Sequence, residues 1–369
     1  MRNAPLETPR KLGATSRVAY AAAHVVVDPL AEIDPSTGTA IDWDRTIAFR
    51  EHLWDLGLGV AEAMDTAQRG MGLDWAGARE LIARAQRAAS ARGAIIAHGA
   101  GTDHLSPGPN VSIDNVIAAY EEQVGYVEAQ GGRVILMASR ALARAAHSPD
   151  DYLRVYDRVL SQVRQPVIIH WLGEMFDPAL AGYWGSPDHV LAMETAITMI
   201  NSHAAKVDGV KISLLDAGKE VTMRRRLAPS VKMYTGDDFN YAELIAGDAE
   251  GHSHALLGIF DPIAPAASLA LQKLAAGDRA AYDELLGPTV PLSRHIFQAP
   301  TRFYKTGVVF LAYLNGFQDH FQMLGGQQSA RSIQHLSELF RLADAARVLR
   351  DPELAVARMR LTLATAGID

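Results

Sequence analysis

At 369 residues, with 49% apolar and 21% charged side chains, the chain has the makings of a large hydrophobic core and none of the bias of a disordered protein. A formal charge of −7 speaks against nucleic acid or an anionic membrane as partner, and the absence of cysteine excludes disulfides, thiolate metal sites and a cysteine nucleophile. No apolar run reaches the roughly 18 residues of a membrane span, and the first residues lack a signal-like apolar core, so the cytoplasm is the expected location.

After an N-terminal extension over residues 1–16, short apolar runs alternate with longer stretches of helical period. Strands are predicted at Val18–Val27, Gly59–Met64, Ala94–His98, Val134–Ala138, Pro166–His170, Gly209–Ser213, Val231–Thr235 and Ala255–Phe260. Amphipathic stretches lie between them, at Trp43–Leu56, Trp75–Ala91, Ser112–Ala129, Asp150–Gln162 and Pro187–Ser202. Strand–helix alternation repeated in this way predicts an α/β fold, a (β/α)8 TIM barrel over residues 17–265. A doubly wound sheet is the competitor, but no Gly-x-Gly-x-x-Gly turn follows the first strand.

Beyond the eighth strand the period stays helical. Ala266–Gly277, Ala280–Leu286, Leu292–Gln298, Thr306–Leu314, Ser332–Leu349 and Pro352–Thr365 read as helices, so residues 266–369 are expected to form a helical C-terminal region packed on the barrel. Ser106–Asn110, Gly182–Pro187 and Gly325–Ser329 read as loops, and Arg224–Arg226 as a solvated helix face. The aromatic clusters Tyr183-Trp184 and Phe317–Phe321 suit either core or an interface, and Lys305 a surface contact.

Barrel enzymes carry their catalytic groups where strands end and βα loops begin. Those positions hold His24, Glu62 with Asp65 and Thr66, His98, Arg140, His170, Lys211, Thr235-Gly236-Asp237-Asp238 and Asp261. A lone histidine there is more often a hydrogen-bonded core residue than a catalyst. A register slip of one residue would also turn any of these side chains away from the lumen. Lys211 is the most informative. It sits among Val207, Val210 and Ile212, where desolvation opposes its charge and prepares an amine nucleophile for a carbonyl substrate. The plainer alternative is a lysine that snorkels out at the strand end.

Gly209-Val-Lys-Ile212, followed by Tyr234-Thr-Gly-Asp-Asp238 and then Ala255–Phe260, resembles the dihydrodipicolinate synthase / N-acetylneuraminate lyase superfamily. Those enzymes carry a Gly-Ile-Lys strand with the imine-forming lysine, a Ser-Gly-Asp-Asp-like turn and a Gly-rich eighth strand. The stretch from Ala270 through Phe303-Tyr-Lys305 to Gly367 looks like their C-terminal helices. The resemblance implies a class I aldolase-type barrel, a divergent branch, that assembles as a homo-oligomer, dimer or tetramer. It implies the imine role for Lys211 and a place in that pocket for Thr235 and Gly236.

On strand five the superfamily has Tyr-Asn-x-Pro, whose tyrosine relays protons. The matching run here is His170-Trp-Leu-Gly173, so His170 takes the tyrosine's place and can shuttle protons near neutral pH. The superfamily's Gly-Thr-Thr-Gly-Glu loop after strand two, which cradles the keto-acid carboxylate, corresponds to Asp65-Thr-Ala-Gln-Arg69. Only the hydroxyl of Thr66 is kept, which puts pyruvate in doubt as the carbonyl partner.

Three functions follow as expectations. The first is a Schiff-base lyase, aldolase or hydro-lyase acting on a small polar carbonyl compound, a 2-oxo acid or a sugar-derived ketone. It would need no cofactor: Lys211 forms the imine and His170 moves the proton, with Asp65, Thr66, His98, Thr235, Gly236, Asp237 and Asp261 binding substrate and Tyr234 a further candidate. The second is a metal-dependent barrel enzyme in which His24, Glu62, His98 and His170 hold a divalent ion. His252-x-His254 precedes strand eight, at the wrong face for that role. The third is a barrel that has lost its chemistry and only binds.

Overall fold

The structure, a computed structural model, describes residues 3–8, 12–34, 36–105, 108 and 110–368. Ser106, Pro107 and Pro109 of the predicted loop, and residues 1, 2 and 9–11 of the predicted extension, lie outside that set. Among the described residues the order is β1 (Ala19–Ala22), α1 (Trp43–Asp55), β2 (Gly59–Glu62), α2 (Trp75–Arg92), β3 (Ile96–Ala100), α3 (Ile113–Ala129) and β4 (Arg133–Leu136). Next come α4 (Arg140–Ala145), α5 (Pro149–Gln162), β5 (Val167–Leu172), α6 (His189–Ser202), β6 (Val207–Ser213), α7 (Ala217–Arg224), β7 (Lys232–Thr235), α8 (Tyr241–Ala246) and β8 (His254–Leu257). The chain ends in α9 (Ala264–Ala275), α10 (Arg279–Leu286), α11 (Thr289–Ile296), α12 (Tyr304–Leu314), α13 (Ile333–Ala345) and α14 (Pro352–Thr365).

The strands close into a parallel barrel in the order β1 to β8, as the alternation predicts. They are buried on both faces, which is why they read as unbroken apolar runs. Local chemistry sets the helix starts. Asp42, Asp74, Ser112, Asp216, Ser332 and Asp351 each accept a first-turn N–H, and Pro149 and Pro352 open their helices. No helix of the described residues is long and apolar enough to cross a membrane.

Contacts divide the chain into two compact units, along a different line from the predicted boundary at 265/266. One comprises residues 61–64 and 74–256 and carries β3 to β7. Its loop core is the aromatic group of Tyr152, Tyr156, Tyr183 and Trp184, so the Tyr183-Trp184 pair is interior. The Arg224–Arg226 run is ion-paired rather than simply solvated: Arg224 and Arg225 meet Asp248 at 2.8 and 3.3 Å, and Arg226 meets Glu194 at 2.6 Å.

The other unit comprises residues 1–60, 65–73 and 257–369. Every residue of α12 is buried in it. Early and late segments are tied together there: the Ser268 hydroxyl donates to the Leu56 carbonyl at 2.7 Å, and the Gln68 amide donates to the Leu324 carbonyl at 2.8 Å. Lys305 is 5% exposed, so it is not the surface contact predicted for it; its ammonium reaches the Arg302 carbonyl at 3.1 Å and the Met71 sulfur at 3.3 Å.

Candidate active site

Strand β6 presents Lys211 toward its neighbour with 7% of its surface exposed. Register pairs it with His170 of β5, and parallel partners share a face, so amine and imidazole lie side by side. Ser213, two residues beyond Lys211, points the same way, and its Oγ lies 3.3 Å from His170 Nε2. Nδ1 of His170 is buried without a hydrogen-bond partner. Burial, and then the neighbouring Lys211, push the His170 pKa well below the ordinary histidine value. The ring is therefore uncharged at neutral pH and available as a proton acceptor.

Gly236 shapes this cluster from the end of β7. A Cβ there would sit 2.3 Å from Ser213 Oγ, 2.7 Å from the Ile212 carbonyl and 2.8 Å from Lys211 Cε. Only a glycine lets the Lys211 stem lie against that turn, and the Gly236 N–H fixes the approach by donating to the Ile212 carbonyl at 2.9 Å.

The other turn residues are used differently. Thr235 pairs in register with Ile212, which alternation turns to the face opposite Lys211. Its hydroxyl accepts the Asp237 N–H at 3.2 Å and hydrogen-bonds Glu220 of α7. Asp237 closes its own turn, accepting from the Phe239 N–H, the Asn240 N–H and the Asn240 side-chain amide at 2.8 to 3.1 Å. Tyr234 shares the Lys211 face, but its hydroxyl donates to Asp208 at 2.7 Å, near the start of β6. Each of these three side chains thus has a local hydrogen-bond partner.

His98 is drawn to α2, where Nε2 meets Gln86 Oε1 at 2.8 Å; burial, opposed by Glu62, pushes its pKa down to about 4. Glu62 accepts the Ala63 N–H at 2.8 Å. In the other unit His24 is bound by Asp261, whose Oδ2 takes both the His24 backbone N–H and Nδ1 at 2.8 Å. Thr66 Oγ1 lies 2.8 Å from the Tyr304 hydroxyl, and the half-buried Asp65 opens a short 3-10 turn over Asp65–Ala67. Arg140 pairs with Asp177.

The metal-ligand set His24, Glu62, His98 and His170 does not assemble: the described residues contain no group of three or more His, Cys, Asp or Glu placed to hold a metal ion. Each imidazole is instead directed to a different local neighbour.

Ser213, Glu220 and Tyr304 were not singled out by sequence reasoning. The alternation of β6 signals Ser213, since Lys211 and Ser213 are separated by one residue. Tyr304 meets Thr66 across most of the chain's length, and no local pattern announces such a contact.

The family described as "Protein of unknown function (DUF993)" matches residues 1–368. A search of the curated proteins gives no match. Among solved structures, a prophage protein of the dihydrodipicolinic acid synthase family from E. coli K12, in complex with pyruvate, matches with a TM-score of 0.70 and 13% identity, covering 91% of this chain and 100% of that one. Dihydrodipicolinate synthase from Thermotoga maritima matches at 0.67 and 13%, over 91% of this chain and 100% of that one. The chloride-inhibited synthase from Acinetobacter baumannii, complexed with pyruvate, matches at 0.66 and 16%, over 90% and 100%. The resemblance read from the lysine strand and the turn after β7 is thus matched by a likeness of fold.

Proposed function

The chain belongs to the DUF993 family, whose description assigns no reaction, and from its own site we propose that it is a Schiff-base-forming lyase of the class I aldolase type. The observation that carries this reading is the buried Lys211 amine, laid over Gly236 and flanked in register by His170. A carbonyl compound entering there meets a buried primary amine with an uncharged imidazole beside it.

Lys211 Nζ adds to the carbonyl carbon; the oxygen takes one proton from the amine and one from solvent and leaves as water, and the protonated imine remains. That cation accepts the electron pair released when a neighbouring C–C bond breaks or when a proton is removed next to it, and the enamine formed by proton removal can in turn expel a β-hydroxyl, which leaves as water on taking up a proton. His170, uncharged and beside the amine, takes the proton and returns it; Ser213 Oγ orients the ring through Nε2. The substrate class is a small polar carbonyl compound, a 2-oxo acid or a sugar-derived ketone.

The test is borohydride trapping against pyruvate, longer 2-oxo acids, keto-sugars and aldehydes, with intact mass and peptide mapping. A reduced adduct on Lys211 is expected, and its mass identifies the carbonyl partner. No adduct across the panel, with Lys211 unmodified, would overturn the proposal.

A further inference from the structure

Within the unit of residues 61–64 and 74–256, the strand face that carries Lys211 can be followed away from it. Register pairs His170 with Lys211 and Ile168 with Gly209, so alternation puts Ile168 on the face of the amine and the imidazole. Ile168 pairs with Ile135 of β4, and Ile135 with Gly99 of β3. His98, next to Gly99, turns outward to Gln86 of α2, which marks the shared face as the barrel lumen.

Met137 lies two residues beyond Ile135 and continues the ladder, its N–H donating to the Ala100 carbonyl at 2.8 Å. One step past the Leu136–Ile169 pair, it stands opposite His170. Its side chain leans toward β3: a Cβ on Gly99 would sit 2.7 Å from Met137 Sδ and 2.9 Å from Met64 Sδ. Glycine at position 99 thus makes room for two thioethers. Met64 follows Ala63, whose φ of 54° is a conformation that a non-glycine residue adopts only when its surroundings impose it. The two sides of the amine therefore differ in kind. Ser213 of β6 offers a hydroxyl, whereas Gly99, Ile135 and Met137 offer the lumen no hydrogen-bonding side chain. Polar groups just beyond β3 and β4 are bonded locally: Thr102 Oγ1 lies 2.6 Å from Ser139 Oγ, and Gln123 Oε1 accepts the Gly101 N–H at 2.6 Å. Met137 and Lys211 keep 8% and 7% of their surface exposed, against 1% for His170 and Met64, so both stand at the open side of the cluster.

We propose that Met137 selects the substrate: the group on the β4 side of the carbonyl carbon is a short unbranched alkyl chain laid against the Met137 thioether, with Met64 behind it. This rests on the imine reading of Lys211 and narrows its substrate to an alkyl 2-oxo acid, excluding the hydroxylated, sugar-derived ketone. A thioether is flexible and polarizable and packs well on an alkyl chain. A hydroxyl placed there would leave water without gaining a hydrogen bond, a loss that discriminates by about tenfold or more.

The test compares 2-oxobutanoate with hydroxypyruvate, which differ by a methyl group against a hydroxyl. Rates of borohydride-trapped adduct formation at Lys211 are measured on the full-length protein. Their ratio is divided by the same ratio for Nα-acetyl-lysine, which removes the intrinsic reactivity of the two carbonyls. The corrected ratio is expected to favour 2-oxobutanoate at least about tenfold. Met137→Gln, similar in size but polar, is expected to lower that ratio about tenfold, while Met137→Leu retains it. The wild-type ratio is a test by itself if Met137→Gln fails to fold. A corrected ratio near one or in favour of hydroxypyruvate, or a ratio unmoved in folded Met137→Gln, would overturn this proposal and leave the imine at Lys211 standing. Adducts from keto-sugars or aldehydes but from neither of these two acids would do the same. No adduct from any carbonyl compound overturns the imine reading, and this inference with it.

Discussion

At the scale of single residues, the Lys211 cluster rests on one missing side chain and one uncharged ring. Gly236→Ala places a methyl group 2.3 Å from Ser213 Oγ and 2.8 Å from Lys211 Cε, with the Ile212 carbonyl behind them. Backbone cannot yield as a side chain can, so the Lys211 stem must move. The expected cost is about 1–3 kcal/mol in the urea midpoint and a slowing of imine formation by about 10–100-fold. Unchanged trapping in a folded variant would show that the amine does not need this path. His170→Gln separates binding from proton transfer: the Lys211 adduct should still form, while turnover falls by about 10²–10⁴-fold. Since burial and Lys211 hold the folded His170 below its ordinary pKa, the neutral ring persists as pH falls through 6.5. The acid limb of turnover assigned to this base therefore belongs well below that value. A limb at the ordinary histidine pKa that disappears in His170→Gln would contradict the environment described for the ring.

Elements show why some chemistry is displaced from where a strand-end reading puts it. Helix α7 buries Glu220 against β7, where Ser253 Oγ donates to it at 2.7 Å and Thr235 also bonds it; burial raises its pKa to about 8. The unfolded chain sheds that proton near pH 4.3, so between roughly pH 4.5 and 8 the folded state holds more protons than the unfolded one. Stability accordingly falls as pH rises across that window and levels off above it. Glu220→Gln removes the titration, so its urea midpoint should gain on wild type between pH 5 and pH 8.5, by an amount equivalent to a few kcal/mol at most. Parallel pH dependence of the two proteins would refute the raised pKa. The same region marks where sequence reasoning stopped. Eight strands and the longer helices were legible because apolar periodicity and caps such as Asp42, Asp74 and Ser112 are local signals. Helices α4, α7 and α8, of six to eight residues, are too short to establish a period. Thr235 does end β7, yet its register partner is Ile212, whereas His98 falls in the middle of β3, which runs on to Ala100, and its ring is drawn to Gln86. Lys211 and His170 were both readable and prove to be register partners, because strand-end chemistry and strand spacing happen to coincide there.

For the whole molecule, a boundary drawn where the sequence stops producing strands differs from one drawn by contacts. The change of period near residue 265 suggests a barrel over residues 17–265 with a helical region, residues 266–369, packed on it. Contacts instead join residues 1–60 and 65–73 to residues 257–369. The links are specific: Gly13 N–H to Gln272 Oε1 at 2.7 Å, Leu56 carbonyl to Ser268 Oγ at 2.7 Å, Thr66 Oγ1 to the Tyr304 hydroxyl at 2.8 Å, and Gln68 to Leu324 through both halves of its amide. Several join groups buried from water, where a severed hydrogen bond leaves an unsatisfied polar atom as well as lost packing. Helix α12, buried along its whole length, adds an apolar surface that cannot stand in water alone. Expression of residues 1–265 without the remainder should therefore give an aggregating or molten chain with no sharp thermal transition. Co-expression with residues 266–369 as a separate fragment should restore a cooperative melt, because covalent continuity at 265 is not what holds these segments together. Circular dichroism melts of the three preparations decide it. A fragment of residues 1–265 that stays soluble and melts as cooperatively as the full chain would establish that the helical region is dispensable to the fold, and that these hydrogen bonds contribute nothing to it.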